Sequence, residues 1–156
     1  MPAKVNGNIS MDKESNTAKE NPLIKSFVQL VDETVGDGVL DFSDLKAAPF
    51  LKYWKHLFIY KYEENINDFR VVFFGTHLVE MEGTDWTGTL MSEMNYAEAL
   101  DEIHDLNMKI INGERRVFAN GTIFWNKREY RNWHQVKMPL QRNGIMNEVL
   151  ICMEIS

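Results

Sequence analysis

The chain has 156 residues, of which 44% are hydrophobic and 26% charged, with nine Phe and four Trp; this suits one globular domain with an aromatic-rich core and excludes two full domains. A net charge of −6 argues against nucleic acid and against an anionic membrane surface, since both select for basic faces. The one cysteine, Cys152, excludes an intramolecular disulfide and a multi-cysteine zinc site. It fits a reducing, cytoplasmic setting, and no secretory leader or bilayer-length apolar run is read along the chain.

Residues 1–21 are rich in Asn, Ser, Lys and Glu and carry few large apolar groups. They cannot bury enough surface to offset the entropy of ordering and read as a disordered tail. Asn21 then offers an N-cap and Pro22 a first helical residue. Ile24, Phe27, Val28, Val31 and Val35 follow at helical spacing, and Gly36 and Gly38 end the pattern. Residues 22–38 thus form an N-terminal amphipathic helix whose apolar stripe packs either on its own domain or on a second subunit.

Residues 39–156 read as the main domain. Asp41 to Tyr53 is a short irregular helical stretch, with Ser43 or Asp44 as cap and Pro49 as interruption. The aromatic and β-branched run from His56 to Tyr62 is a strand, and Asp68 to Phe74 is its hairpin partner. A helical piece covers His77 to Glu82. Asn95-Tyr96-Ala97-Glu98 has the form of a capping box and opens the clearest helix, which Gly113 stops. Arg115 to Trp125 and Tyr130 to Leu140 are strands, and Asn143-Gly144 turns the chain into a last strand near Met146 to Ile155. Five antiparallel strands, with helices inserted between the second and third, predict an α+β fold with helices covering one face of one sheet. Arg115, Arg116, Lys127, Arg128 and Arg131 are interrupted by acidic and aromatic residues and read as solvated strand faces and a loop.

This order resembles the PAS domain superfamily, and within it the short bacterial PAS-like family that often occurs without an output domain. The residues that carry the resemblance are Phe69-Arg70-Val71-Val72-Phe73-Phe74-Gly75-Thr76, then Gly83-Thr84-Asp85-Trp86-Thr87-Gly88, and later Met138-Pro139-Leu140 and Asn143-Gly144. The resemblance covers roughly Asp41 to Ile155 and implies a sensor or interaction fold enclosing a small pocket. It also places the helix at residues 22–35 like the N-terminal helix through which many PAS domains dimerise, with Ile24, Phe27, Val28 and Val31 as its contacts. A homodimer, and a separate signalling protein reached in trans, are the implied partners. In the Gly83 to Gly88 run, the glycines supply unusual backbone angles and Asp85 and Thr87 bond neighbouring backbone; Trp86 is a candidate pocket wall.

The candidate chemistry is sparse. No two of His56, His77, His104 and His134 have a metal-binding spacing, and no metal is assigned. Some PAS domains hold haem through a histidine on the equivalent helix, which singles out His104. Its line with Ala97, Asp101, Met108 and Ile111 is a mixed face, however, and favours a partly exposed helical histidine over a haem ligand. Strand alternation places His134 with Val136, Met138 and Leu140 on the core face, and Gln135 and Lys137 on the other. At the edge of that face His134 could orient a ligand in an apolar pocket, although a histidine bonded to a nearby carbonyl is the favoured reading. Phe73, Met94, Ile103, Trp125, Tyr130 and Met138 are candidates to line the same pocket, with plain core packing as the alternative for each. Cys152 lacks the motif of a flavin photosensor, and no nucleophile or phosphate-binding motif occurs.

The leading expectation is therefore a sensory or regulatory module that binds a small, unidentified ligand or a protein partner, without enzymatic chemistry of its own. The alternative is a small cone-shaped lyase or isomerase that moves a proton with an Asp-His pair. A third reading is an assembly domain with a filled core.

Overall fold

A computed structural model describes the backbone of residues 10–12, 16–94, 96, 99–125 and 129–156, and the side chains of these except 10–12, 16, 123–125 and 129–130. The chain begins with β1 (Ser10–Asp12) and α1 (Asn16–Glu20), followed by α2 (Pro22–Val35). Asn21 caps α2 through its Oδ1, which accepts hydrogen bonds from the backbone N–H of Leu23 at 3.0 Å and Ile24 at 3.2 Å. After β2 (Leu40–Asp41), a capping box at Asp41 and Asp44 starts a 3₁₀ turn over Phe42–Lys46, and α3 (Ala48–Leu51) begins with Pro49 in its first turn. The cap is Asp41, not Ser43 or Asp44 alone, because the two carboxylates bond each other's ends reciprocally.

β3 (Leu57–Glu63) and β4 (Asp68–Phe74) pair as the predicted hairpin. α4 (Thr76–Glu82) follows Gly75, where an added Cβ would stand 2.4 Å from the Lys55 carbonyl oxygen, so only glycine fits that close approach. The Gly83 to Gly88 run is the turn its residues predict. Asp85 Oδ1 accepts from the Thr87 N–H and hydroxyl at 3.0 and 2.7 Å, and Gly88 has φ 89°. α5 spans Leu100–Ile111, and the predicted capping box at Asn95, Ala97 and Glu98 lies outside the described residues. β5 (Val117–Trp125), β6 (Glu129–Arg142) and β7 (Ile145–Ile155) complete the chain. Asn143 and Gly144 have φ 53° and 78°, the left-handed pair a two-residue hairpin requires.

One sheet joins the strands in the order β1-β5-β6-β7-β3-β4. β3, β4, β5, β6 and β7 are antiparallel neighbours throughout, as the sequence predicts. Two additions make the sheet mixed and larger than the expected antiparallel five. β2 runs parallel to β6 at Leu40↔Leu140, on the edge left open beyond the last β5 pair, Val117↔Lys137. β1 adds antiparallel to β5.

β1 and α1 correct the disordered-tail reading for the described part of residues 1–21. An open sheet edge recruits a polar strand through backbone hydrogen bonds alone, and Ala18 of α1 is fully buried.

Helices cover both faces of the sheet: the inserted helices cover one, as the sequence predicts, and α2 takes the first of its two expected positions, on its own domain. On one face α4 and α5 pack with Phe58, Tyr60, Phe69, Trp133, Ile151 and Met153. On the other, Ile24, Phe27 and Val31 of α2 pack with Leu57, Ile59, Val136, Met138, Leu150 and Cys152. The candidate dimer contacts are therefore occupied in cis. Ile24, Phe27 and Val31 are buried on their own sheet, and half-buried Val28 packs against the same cluster. Arg115 and Arg116 tie the end of α2 to the start of β5 by ion pairs, Arg115 to Asp37 at 2.9 Å and Arg116 to Asp32 at 2.8 Å.

Candidate functional site

A cavity of about 50 Å³ lies between the sheet and the α4–α5 side of the molecule. Alternation along three adjacent strands supplies its floor: Trp133, Gln135 and Lys137 from β6, Ile151 and Met153 from β7, Phe58 and Tyr60 from β3. Glu82 at the end of α4, Tyr96, and Ile103 of α5 supply the rest. Most of this lining is apolar, and the polar groups within it are few and deeply buried. Lys137 is 1% exposed, Trp133 3% and Glu82 4%.

The ionisable groups respond to that burial. Lys137 Nζ donates to Asn107 Oδ1 at 2.7 Å, and Asn107 is itself fully buried on α5, its Nδ2 placed 3.8 Å from Met91 Sδ. Desolvation disfavours the charged amine and lowers the Lys137 pKa to about 7. Glu82 accepts a hydrogen bond from the Tyr96 hydroxyl on Oε1, while Oε2 has no partner among the described residues. Desolvation raises the Glu82 pKa to about 8, with a smaller opposing effect from the Trp86 indole. The Trp86 N–H nevertheless lacks a hydrogen-bond partner of good geometry. The Tyr60 phenol is pushed well above its usual range by burial, reinforced by Glu82 and Asp68, and its hydroxyl lies 3.6 Å from Met94 Sδ. The Trp133 indole N–H is buried without a hydrogen-bond partner among the described residues. The arrangement is an apolar chamber with a weakly basic amine, a carboxyl group that stays protonated near neutrality, and unsatisfied donors.

Of the candidate pocket residues whose side chains are described, Ile103 alone lines this cavity. Met94 and Trp86 belong to the same packed cluster, Met94 against the Tyr60 hydroxyl and Trp86 with its ring 6.5 Å from that of Tyr96. Phe73 and Met138 are on the opposite face. Phe73 packs edge-on against Trp54 at 5.5 Å, and Met138 is buried in the α2 cluster. Trp125 and Tyr130 sit on β5 and β6, but their side chains lie outside the described residues.

His134 is on the α2 side, beside a surface groove lined with Thr17, Glu20 and Asn21. The predicted face was correct, since His134 alternates with Val136, Met138 and Leu140, but that face does not hold the cavity. The Asp-His pair of the lyase or isomerase reading is therefore not assembled in the cavity, where the acid is Glu82 and the base Lys137. His104 also lies outside the cavity lining. Its Nε2 is 3.0 Å from the Asn67 carbonyl oxygen and its ring packs on Phe69 at 5.4 Å. Among the described residues no group of three or more His, Cys, Asp or Glu could hold a metal, and no helix is long and apolar enough to cross a membrane. Cys152 is buried in the α2 cluster, where desolvation raises its thiol pKa.

Sequence reasoning missed Lys137, Gln135, Trp133 and Glu82. A signal for three of them was present. Val149 to Met153 is a continuous apolar run, the mark of a strand buried on both faces. Its neighbour β6 is then covered on both faces as well, and the Trp133-Gln135-Lys137 line must be interior. For Glu82, at the end of a seven-residue helix, the local pattern carried no such signal. Comparison with protein-family models, with curated proteins and with solved structures finds no match to this chain.

Proposed function

We propose that this protein is a ligand-binding sensory or regulatory domain of PAS type, with the chamber between the sheet and α4–α5 as its binding site. The observation that carries the reading is the cavity itself: an apolar space with a few buried, convergent polar groups is how small-molecule sites are built. The PAS resemblance of Phe69 to Thr76 and Gly83 to Gly88 supports it. So does the arrangement of five antiparallel strands with helices between the second and third. Ligand occupancy would act on α4 and α5, which pack over the chamber, and through them on a partner surface.

Native mass spectrometry of the full chain after incubation with a mixture of small metabolites tests the reading. A retained small molecule, lost when Ile103→Phe fills the chamber, is the expected result. Absence of any retained molecule, together with a more stable Ile103→Phe variant, would favour the assembly-domain reading.

A further inference from the structure

Two buried donors around the cavity have unused hydrogen-bonding capacity among the described residues, and one carboxyl oxygen beside them is unpartnered. The Lys137 amine has one partner among the described residues, Asn107 Oδ1, although an ammonium carries three N–H donors. The Trp133 indole N–H has none. Glu82 accepts the Tyr96 hydroxyl on Oε1, and Oε2 has no partner among the described residues. A buried donor without an acceptor costs roughly 1–3 kcal/mol, so the chamber favours an acceptor-rich guest. Of the remaining lining, Phe58, Ile103, Ile151 and Met153 are apolar, and Tyr60 and the buried Gln135 add polar ends.

We infer that the cavity binds a small monocarboxylate, its carboxylate on Lys137 and Trp133 and its short alkyl tail against Ile103, Ile151 and Met153. This rests on the reading of the chamber as a ligand site and adds the class of ligand. One lysine balances one negative charge, and a second buried anion would stand uncompensated, which selects a monoanion. A volume of about 50 Å³ admits a ligand of a few heavy atoms, since one water-sized probe needs roughly 10–15 Å³.

Proton linkage follows from the same groups. Among the described residues, the titratable side chains facing the chamber are Lys137 from β6, Glu82 from α4, Tyr60 from β3 and Tyr96; the strand neighbours of Lys137, Val117 and Ile151, are uncharged. Pairing with a carboxylate charges Lys137, so binding takes up protons above neutral pH and weakens as pH rises.

Calorimetric titration of the full chain with propionate, propionamide and n-propylamine tests the inference. Propionate is expected to bind saturably, with net proton uptake at pH 8 shown by two buffers of different ionisation enthalpy. Propionamide is expected to bind at least about tenfold more weakly, in line with the strength of hydrogen bonds to charged groups, and n-propylamine not at all. Lys137→Met should weaken propionate by a similar factor, while Phe73→Leu on the opposite face should leave it unchanged. Should Lys137→Met not fold, the ligand ranking and proton uptake of the unmodified chain decide the matter. Equal binding of propionamide, or affinity unaffected by Lys137→Met, overturns the monocarboxylate and leaves the sensor reading standing. Failure of all three ligands overturns it too. If native mass spectrometry also retains no molecule, the ligand site itself falls.

Discussion

Lys137 and Glu82 are displaced from their ordinary pKa values in opposite senses by the same cause, burial in one apolar chamber. Their effects on stability therefore have opposite signs. Lys137 falls from 10.5 to about 7, so between those values the unfolded chain binds the extra proton and stability rises with pH. Glu82 rises from 4.5 to about 8, so the folded chain holds the extra proton in that window; its contribution is full below 4.5 and is lost as pH climbs through 8. Urea unfolding at pH 5, 7, 8.5 and 10 should show Lys137→Met without the alkaline gain and Glu82→Gln without the loss between pH 5 and 8. Two variants with the pH profile of the unmodified chain would contradict this assignment. Lys137→Met also leaves Asn107 Oδ1 without its donor, at a cost of roughly 1–3 kcal/mol.

At the scale of elements, α2 is part of the domain. Phe27 packs edge-on against Tyr53 at 5.1 Å and Phe50 at 6.2 Å and is fully buried. Phe27→Ala should destabilise the fold by about 3–5 kcal/mol, the usual cost of emptying a buried aromatic site, with no change in oligomeric mass on light scattering. A dissociated assembly with unaltered unfolding would instead place Phe27 at a subunit interface. Gly75→Ala sets a Cβ against the Lys55 and Trp54 carbonyls. Relief requires moving backbone, so a lower midpoint in thermal unfolding is expected, with a cost of about 1–3 kcal/mol typical of overpacking.

Local chemistry made α2 legible from its sequence. Asn21, Pro22 and Gly36 mark its ends, and the burial of Ile24, Phe27 and Val31 follows its apolar spacing. The strand hairpins were legible for the same reason, since Asn143-Gly144 fixes a turn by its own backbone preference. What sits on each face of a strand is a different kind of fact. Alternation separated His134 from Lys137 correctly, yet which set meets the cavity depends on helices far away in sequence. Apolar composition favoured the His134 face, but that face is filled by α2, while the more polar Lys137 face meets the chamber. β1 was illegible because its pairing uses backbone groups that every residue possesses.

Taken as a whole, the molecule is one sheet with two cores. The α2 face is a packed aliphatic and aromatic layer, and the α4–α5 face contains the chamber and the buried ionisable groups. This division gives the account its most direct test. Methyl NMR spectra of the isotopically labelled chain, recorded during titration with propionate, read both faces at once. The account predicts saturable shifts at Ile103, Ile151 and Met153, with Ile24, Val31 and Leu140 unmoved. Shifts confined to the α2 face, or none at saturating ligand, would contradict it.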